Sequence, residues 1–310
     1  MRYAVIGTGA IGGYYGAKLC KAGNEVHFLF HSDYDFVRLH GLQIDSCEGS
    51  FHIDTPNAYN ATDDMPECDV VIVALKTINN RLLPGLLSPL LRRDATGRCQ
   101  TTVLLIQNGI GVEEDVQQMF PHVGIVAGLA FICSAKTKPG VVNHQFYGKI
   151  SLANYSCHDE EVFRGLVADF RDAGIETYEV EYAEARWKKA VWNMPFNGMT
   201  VALDTQTDEL LACPATMRLI RSQMMEVIGA AQALGVRNID SSFADKMIAE
   251  TLSMVPYSPS MKLDYFFHRP MEIYYLYTRP IAEARKAGFL MPRLEMLESE
   301  LVFLQERRRD

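Results

Sequence analysis

A short apolar stretch, Arg2-Tyr3-Ala4-Val5-Ile6, runs directly into Gly7-Thr8-Gly9-Ala10-Ile11-Gly12 and then into a helical pattern reaching about Ala22. Three glycines at this spacing, between a strand and a helix, restrict the chain more than any other feature. Gly7 permits a tight turn, Gly9 lets a ligand approach the backbone, and Gly12 lets the helix pack closely on the strand. The unpaired amides at the helix start then face an anion. The segment Gly7–Gly12 is therefore the expected cradle for the pyrophosphate of a dinucleotide. The alternative, a glycine-rich turn of structural use only, is disfavoured by its place in the first turn after the first strand.

The rest of the first half alternates strand and helix. Strands are expected at Glu25–Phe30, Asp69–Leu75, Thr102–Gln107, Val123–Ala127, Val141–His144, Lys149–Ala153 and Ile175–Val180. Helices are expected from the end of Asp69–Leu75 to about Leu91, over Val112–Met119 and near 159–173, and Gly41–Asp45 with Phe51–Asp54 reads as a hairpin or an excursion. Such alternation implies a largely parallel sheet covered by helices. After Glu181 the pattern turns wholly helical, with stretches near 183–203, 214–234, 241–254, 260–268, 272–287 and 292–309. The expected architecture is an α/β Rossmann-type domain over residues 1–182 and an all-α domain over 183–310.

Composition narrows the function. A formal net charge of −8 argues against a nucleic-acid partner, and the basic run Arg307–Arg309 reads as the solvated end of a helix. The longest apolar runs fall far short of a bilayer span, so no membrane association is expected. Seven scattered cysteines, with no CxxC and no ligand-like spacing to the eight histidines, read as reduced thiols and offer no metal site. With Met1 leading straight into a strand, no signal peptide is expected, and the expected location is cytoplasmic.

The tip of the second strand bears on which dinucleotide binds, because an acid there holds the ribose 2′-OH and repels a 2′-phosphate. It reads Phe30-His31-Ser32-Asp33. No acid stands at the tip itself, and His31 and Ser32 suit a phosphate, with Arg38 a turn or two further. Asp33 and Asp35 pull the other way. The balance leans to NADP over NAD.

In the first helix of the second half, Lys189, Asn193 and Asn197 are spaced i, i+4, i+8 and form one polar stripe. Ala190, Val191, Trp192, Met194 and Phe196 cover most of the remaining surface. A narrow amine-and-amide stripe on an otherwise apolar helix points to a wet cleft; an exposed edge of an ordinary amphipathic helix is the alternative. Pro195 removes one helical hydrogen bond and bears on both readings.

These features together resemble the ketopantoate reductase (2-dehydropantoate 2-reductase) family. The likeness is carried by Gly7–Gly13, Leu75-Lys76, Gln107-Asn108-Gly109, the Trp187-x-Lys189-x3-Asn193-x3-Asn197 array and the late Ser260 and Glu272, and it covers nearly the whole chain. The resemblance implies a helical domain of the 6-phosphogluconate-dehydrogenase-like kind. It implies NADPH-dependent reduction of ketopantoate to pantoate, a step towards pantothenate and coenzyme A. Lys189 would protonate the ketone oxygen as hydride reaches C2, a sensible role for an ammonium beside a developing alkoxide. Asn193 and Asn197 would hold the substrate's hydroxyl and carboxylate ends, and Ser260 would add a donor to the carboxylate. Asn108 would stand between nicotinamide and substrate, Lys76 and His31 near the cofactor, and Glu272 on the cofactor, ordering the site.

Each late residue has a plainer alternative. Asn108-Gly109 is a favourable turn, Lys76 a solvated strand end, Glu272 a first-turn carboxylate and Ser260 an N-cap. The chain also departs from the family pattern. His31 stands where an arginine is usual, and Pro195 precedes Asn197 where a proline commonly follows it. Thr207 replaces an asparagine, and Tyr257, Tyr265, Phe266 and Phe267 crowd a segment that is often more polar. A reductase of another branched 2-oxo acid and a non-catalytic NADP-binding sensor are the competing functions, although a sensor has no need of Lys189 with Glu272. A small 2-oxo acid is the expected partner, with a homodimer as the expected assembly.

Overall fold

The structure, a computed structural model, describes residues 1–308. They form two compact units, one made of Met1–Gln107 with Glu113–Tyr182 and the other of Asn108–Val112 with the chain from Ala183 onward.

In the first unit the strands are β1 (Arg2–Ile6), β2 (Glu25–Leu29), β3 (Leu42–Ser46), β4 (Phe51–Ile53), β5 (Asn57–Tyr59), β6 (Val70–Val73), β7 (Thr102–Leu105), β8 (Gly124–Lys138), β9 (Val141–Asn154) and β10 (Thr177–Glu179). Helices α1 (Ala10–Lys21), α2 (Tyr34–His40), α3 (Leu83–Leu87), α4 (Val112–Met119) and α5 (Glu160–Asp172) lie between them. All ten strands join one sheet in the order β4-β3-β9-β8-β7-β6-β1-β2-β5, with β10 beside β9. From β5 to β8 every pairing is parallel. That run has the doubly wound Rossmann order, with its switch point between β1 and β6. β6 and β7 are buried along their whole length, which is why they read as unbroken apolar runs rather than alternating ones. Packing against α1 needs small residues, since a Cβ on Gly16 would come within 2.6 Å of the Phe28 ring.

Three departures from the sequence reading have local causes. The expected helix before Leu91 is instead a 3₁₀ turn at Thr77–Leu82, the short α3, and a second 3₁₀ turn at Ser88–Leu90, with prolines at the start of both later pieces. β8 and β9 form a long antiparallel pair where only short strands were expected. Register shifts at Phe131/Ile132, Cys133/Ser134 and Lys136/Lys138 interrupt the alternation that would have revealed it. The short α2 and β5 gave no periodic signal. The hairpin over 41–54 is present as antiparallel β3 and β4.

The second unit is helical, with no strand among its described residues. It comprises α6 (Tyr182–Ala202), α7 (Thr207–Ala212), α8 (Pro214–Ala233), α9 (Ser241–Leu252), α10 (Ser260–Phe266), a π-helical turn at Tyr274–Thr278, α11 (Arg279–Lys286) and α12 (Pro292–Glu306). Its core gathers Val191, Met194 and Phe196 of α6 with Ile220, Met224 and Val227 of α8 and Leu294 and Leu301 of α12. Helix α6 runs unbroken through Pro195. No helix among the described residues is long and apolar enough to cross a membrane.

Candidate active site

In the first unit the glycine turn is built to leave amides available. Gly7 has φ +92°, and a Cβ there would lie 2.5 Å from the Leu75 nitrogen, so the turn rests directly on the end of β6. A Cβ on Gly12 would lie 2.5 Å from the Gly7 carbonyl oxygen, whereas one on Gly9 would meet nothing closer than that oxygen at 4.0 Å. The Gly9 N–H donates back to the Gly7 carbonyl at 2.7 Å, closing the turn. No side chain caps the start of α1 and no acid stands in its first turn, so its dipole and amides suit an anion. The Thr8 hydroxyl donates to the Leu29 carbonyl at 2.8 Å, tying the cradle to the end of β2. Ala10 and Ile11, half-buried, begin α1, and Lys76 is half-buried just before the 3₁₀ turn that follows β6.

At the tip of β2, His31 and Ser32 are exposed while Asp33 is buried. The Asp33 carboxylate is 2.6 Å from the Lys136 ammonium and accepts from the Gly140 N–H at 3.0 Å and the Ser32 hydroxyl at 3.0 Å. Burial by itself would raise this carboxyl, but Lys136, Gly140 and Ser32 outweigh it and hold it below its ordinary range. Asp33 is thus engaged within the protein, which weakens the sequence argument that it reaches for a ribose.

The second unit contains a small pocket whose floor is the polar face of α6. Arg186, Lys189 and Asn193 line it, together with Gly109 and Ile110 of the loop before α4 and Tyr275 of the π-helical turn. Lys189 is only 9% exposed and Arg186 3%. Packing between loop and turn is tight: the Ile110 N–H donates to the Tyr275 carbonyl at 3.0 Å, and a Cβ on Gly109 would lie 2.5 Å from Tyr275. Asn108 is half-buried beside these two residues. Glu272 is buried immediately before the helical segment that becomes the π turn, three residues from Tyr275, rather than within a first helical turn. π turns are rare and recur at functional sites.

The stripe divides at its last member. Asn193 lines the pocket, but Asn197 does not. The Asn197 amide donates to the Asn193 carbonyl at 2.9 Å and its oxygen accepts from the Met261 N–H at 3.1 Å. Asn197 therefore caps α10 from outside. Ser260 is the exposed first residue of that helix, and Pro259, not Ser260, occupies the cap position. Of the aromatics that crowd the late segment, Phe266 and Phe267 are exposed, while Tyr257 lies against Trp192 with ring centres 6.4 Å apart. Thr207, which begins α7, is buried.

The family follows from comparison with known proteins. A family model described as ketopantoate reductase PanE/ApbA matches residues 3–156, and the model of its C-terminal part matches residues 181–305. The chain belongs to the ketopantoate reductase family. A 2-dehydropantoate 2-reductase from Nostoc is 43% identical over 99% of this chain and 96% of its own length. The crystal structure of a 2-dehydropantoate 2-reductase from Geobacter metallireducens superposes with a TM-score of 0.92 at 36% identity, covering 99% of each chain. One from Methylococcus capsulatus gives 0.89 at 31% identity, over 100% of this chain and 98% of its own.

Within this ketopantoate reductase fold, the sequence reading missed two features of the pocket. Arg186 sits three residues before Lys189 and seven before Asn193, spacings that share a helix face, so extending the stripe by one turn would have found it. Tyr275 owes its place to a π turn that ordinary 3.6-residue periodicity does not register.

Proposed function

We propose that this protein reduces ketopantoate to pantoate with NADPH, and that Lys189 is its general acid. The observation that carries this reading is a nearly buried lysine in a pocket it shares with Arg186 and Asn193, in a chain whose other unit bears an uncapped dinucleotide cradle. The residues fit the cofactor: Gly9 leaves the cradle open and α1 presents unpaired amides. When bound, the reduced nicotinamide supplies a hydride to the ketone carbon. Lys189 donates a proton to the ketone oxygen, so that charge developing there is met by a nearly buried ammonium. Arg186 and Lys189 together favour an anionic substrate, and the Asn193 amide orients it.

The preference for NADPH rests on the β2 tip. Asp33 is held by Lys136, His31 and Ser32 are exposed, and the exposed Arg38 follows in α2. Assembly as a homodimer belongs to the same proposal, with Met296 and Phe303, exposed seven residues apart on α12, as an apolar face for a second copy. A reductase of another branched 2-oxo acid is the second reading, favoured by the departures from the family pattern at Thr207 and Tyr257. A panel of 2-oxo acids assayed with NADPH and NADH separates the two. Ketopantoate with NADPH is expected to give the highest kcat/KM, and a clear preference for NADH would overturn the cofactor assignment.

A further inference from the structure

We propose that Tyr277 is a positioning residue for the 2-oxo acid site, its hydroxyl tied to the Met194 carbonyl of α6 so as to set the turn that follows Asn193 and carries Asn197. The proposal rests on the functional reading above. Tyr277 is completely buried, and its hydroxyl donates to the Met194 carbonyl at 2.6 Å. A buried phenol needs a partner, but in an α-helix the Met194 carbonyl is the regular acceptor for the N–H of Gly198, four residues on. That same Gly198 amide acts on the Tyr277 oxygen, opposing the upward push that burial gives the phenol. The hydroxyl therefore engages the Met194 carbonyl beside the Gly198 amide, at the turn that follows Asn193.

The contact falls where α6 lacks a hydrogen bond of its own. Pro195 has no N–H to offer the Val191 carbonyl, and proline is a recognised cause of helix bending. The direction of the following turn is thus not fixed by α6 alone. Room for the hydroxyl comes from Gly198, where a Cβ would lie 2.6 Å from the Tyr277 oxygen and 2.6 Å from Leu297. Any side chain there would displace the hydroxyl.

Two parts of the site hang on this turn. Asn193 precedes it and lines the pocket, and Asn197 within it accepts from Met261 and so holds the start of α10, where Ser260 stands. Tyr277 itself belongs to the π turn that puts Tyr275 in the pocket wall. One hydroxyl consequently joins the α6 stripe, the α10 start and the π turn.

Tyr277→Phe tests this. Without the hydroxyl, the Met194 carbonyl keeps the acceptor role that a helix gives it toward the Gly198 N–H, so no buried polar group is orphaned and stability should hardly change. Without this tie to the π turn, α6 should shift near Met194, misaligning Asn193 and Ser260. The expected result is a kcat lower by about tenfold or more, since small misplacements in a site are costly, with a raised KM for the 2-oxo acid. NADPH affinity and melting temperature should stay near wild type. The chain's two tryptophans, Trp187 and Trp192, both lie on α6, so their emission reports the turn without reference to activity and should shift. Tyr274→Phe, at an exposed position of the same π turn, is the control and should match wild type in every measurement. A lower melting temperature with unchanged kcat and KM would make Tyr277 merely structural and overturn the proposal. Unchanged emission would also overturn it, whatever the wild-type activity. Absence of turnover in the wild-type protein would instead remove the functional reading, and the emission comparison would still decide the role of Tyr277.

Discussion

In the first unit the groups that would face a ligand are backbone amides, and side chains matter there chiefly where they are missing. Gly7, Gly9 and Gly12 shape the cradle, and the Thr8 side chain between them is tied to the Leu29 carbonyl. In the helical unit the reverse holds. Arg186, Lys189 and Asn193 act through their side chains, and the backbone of α6 serves to hold them in line. A site made of backbone leaves its mark in sequence as glycine at fixed offsets. A site made of side chains on a helix leaves only a periodicity, and its supporting contacts come from segments far along the chain.

The sharpest way to break this contrast is through Lys189. Lys189→Ala should lower turnover by at least about a hundredfold, the scale of a positioned general acid, while NADPH affinity stays unchanged. Lys188 is half-exposed and paired with Glu184, so Lys188→Ala should remain active. A dead Lys188 variant would mean that the polar face of α6 has been assigned to the wrong residues.

Gly12→Ala probes the backbone site in the opposite sense. The added methyl meets the Gly7 carbonyl at 2.5 Å, and strain of about 1–3 kcal/mol is usual for such overpacking. Expressed as lost binding, this is about a tenfold to hundredfold weaker NADPH Kd, with kcat at saturating cofactor little changed. Cofactor titration by fluorescence checks it. Equal affinity in the variant would show that the cradle does not bind the pyrophosphate.

The smallest effect separates the two asparagines. Asn193→Ala should raise KM for the 2-oxo acid and leave the melting temperature alone. Asn197→Ala removes an amide cap from α10, worth about 1 kcal/mol, and should lower the melting temperature by roughly 2–4 °C. If Asn197→Ala instead raises KM at constant stability, its amide binds substrate directly and the division of the stripe is wrong.

Those tests also mark where sequence was informative. The parallel sheet was legible because β1, β6 and β7 are buried on both faces and read as apolar runs, and the cradle because only glycine fits at positions 7 and 12. Lys189 and Asn193 were legible from helical spacing. The capping role of Asn197 was not, because Met261 is 64 residues away and nothing in sequence links them. Nor was the engagement of Asp33, whose partners Lys136 and Gly140 lie on and beside the bulged β8–β9 pair. The π turn was read as plain helix because the segment's composition carries no sign of a five-residue hydrogen-bond span.

The short loop Asn108–Val112 has a consequence for anyone wishing to divide this protein. The chain enters the helical unit for those five residues, leaves it, and returns only at Ala183. A helical fragment cut out at residue 183 would lack the peptide that supplies Gly109 and Ile110 to its pocket, and the Tyr275 carbonyl would lose the Ile110 N–H. Modularity here is spatial, not linear. A working isolated helical piece would have to carry the loop as a graft, or be reconstituted from two co-expressed strands of chain.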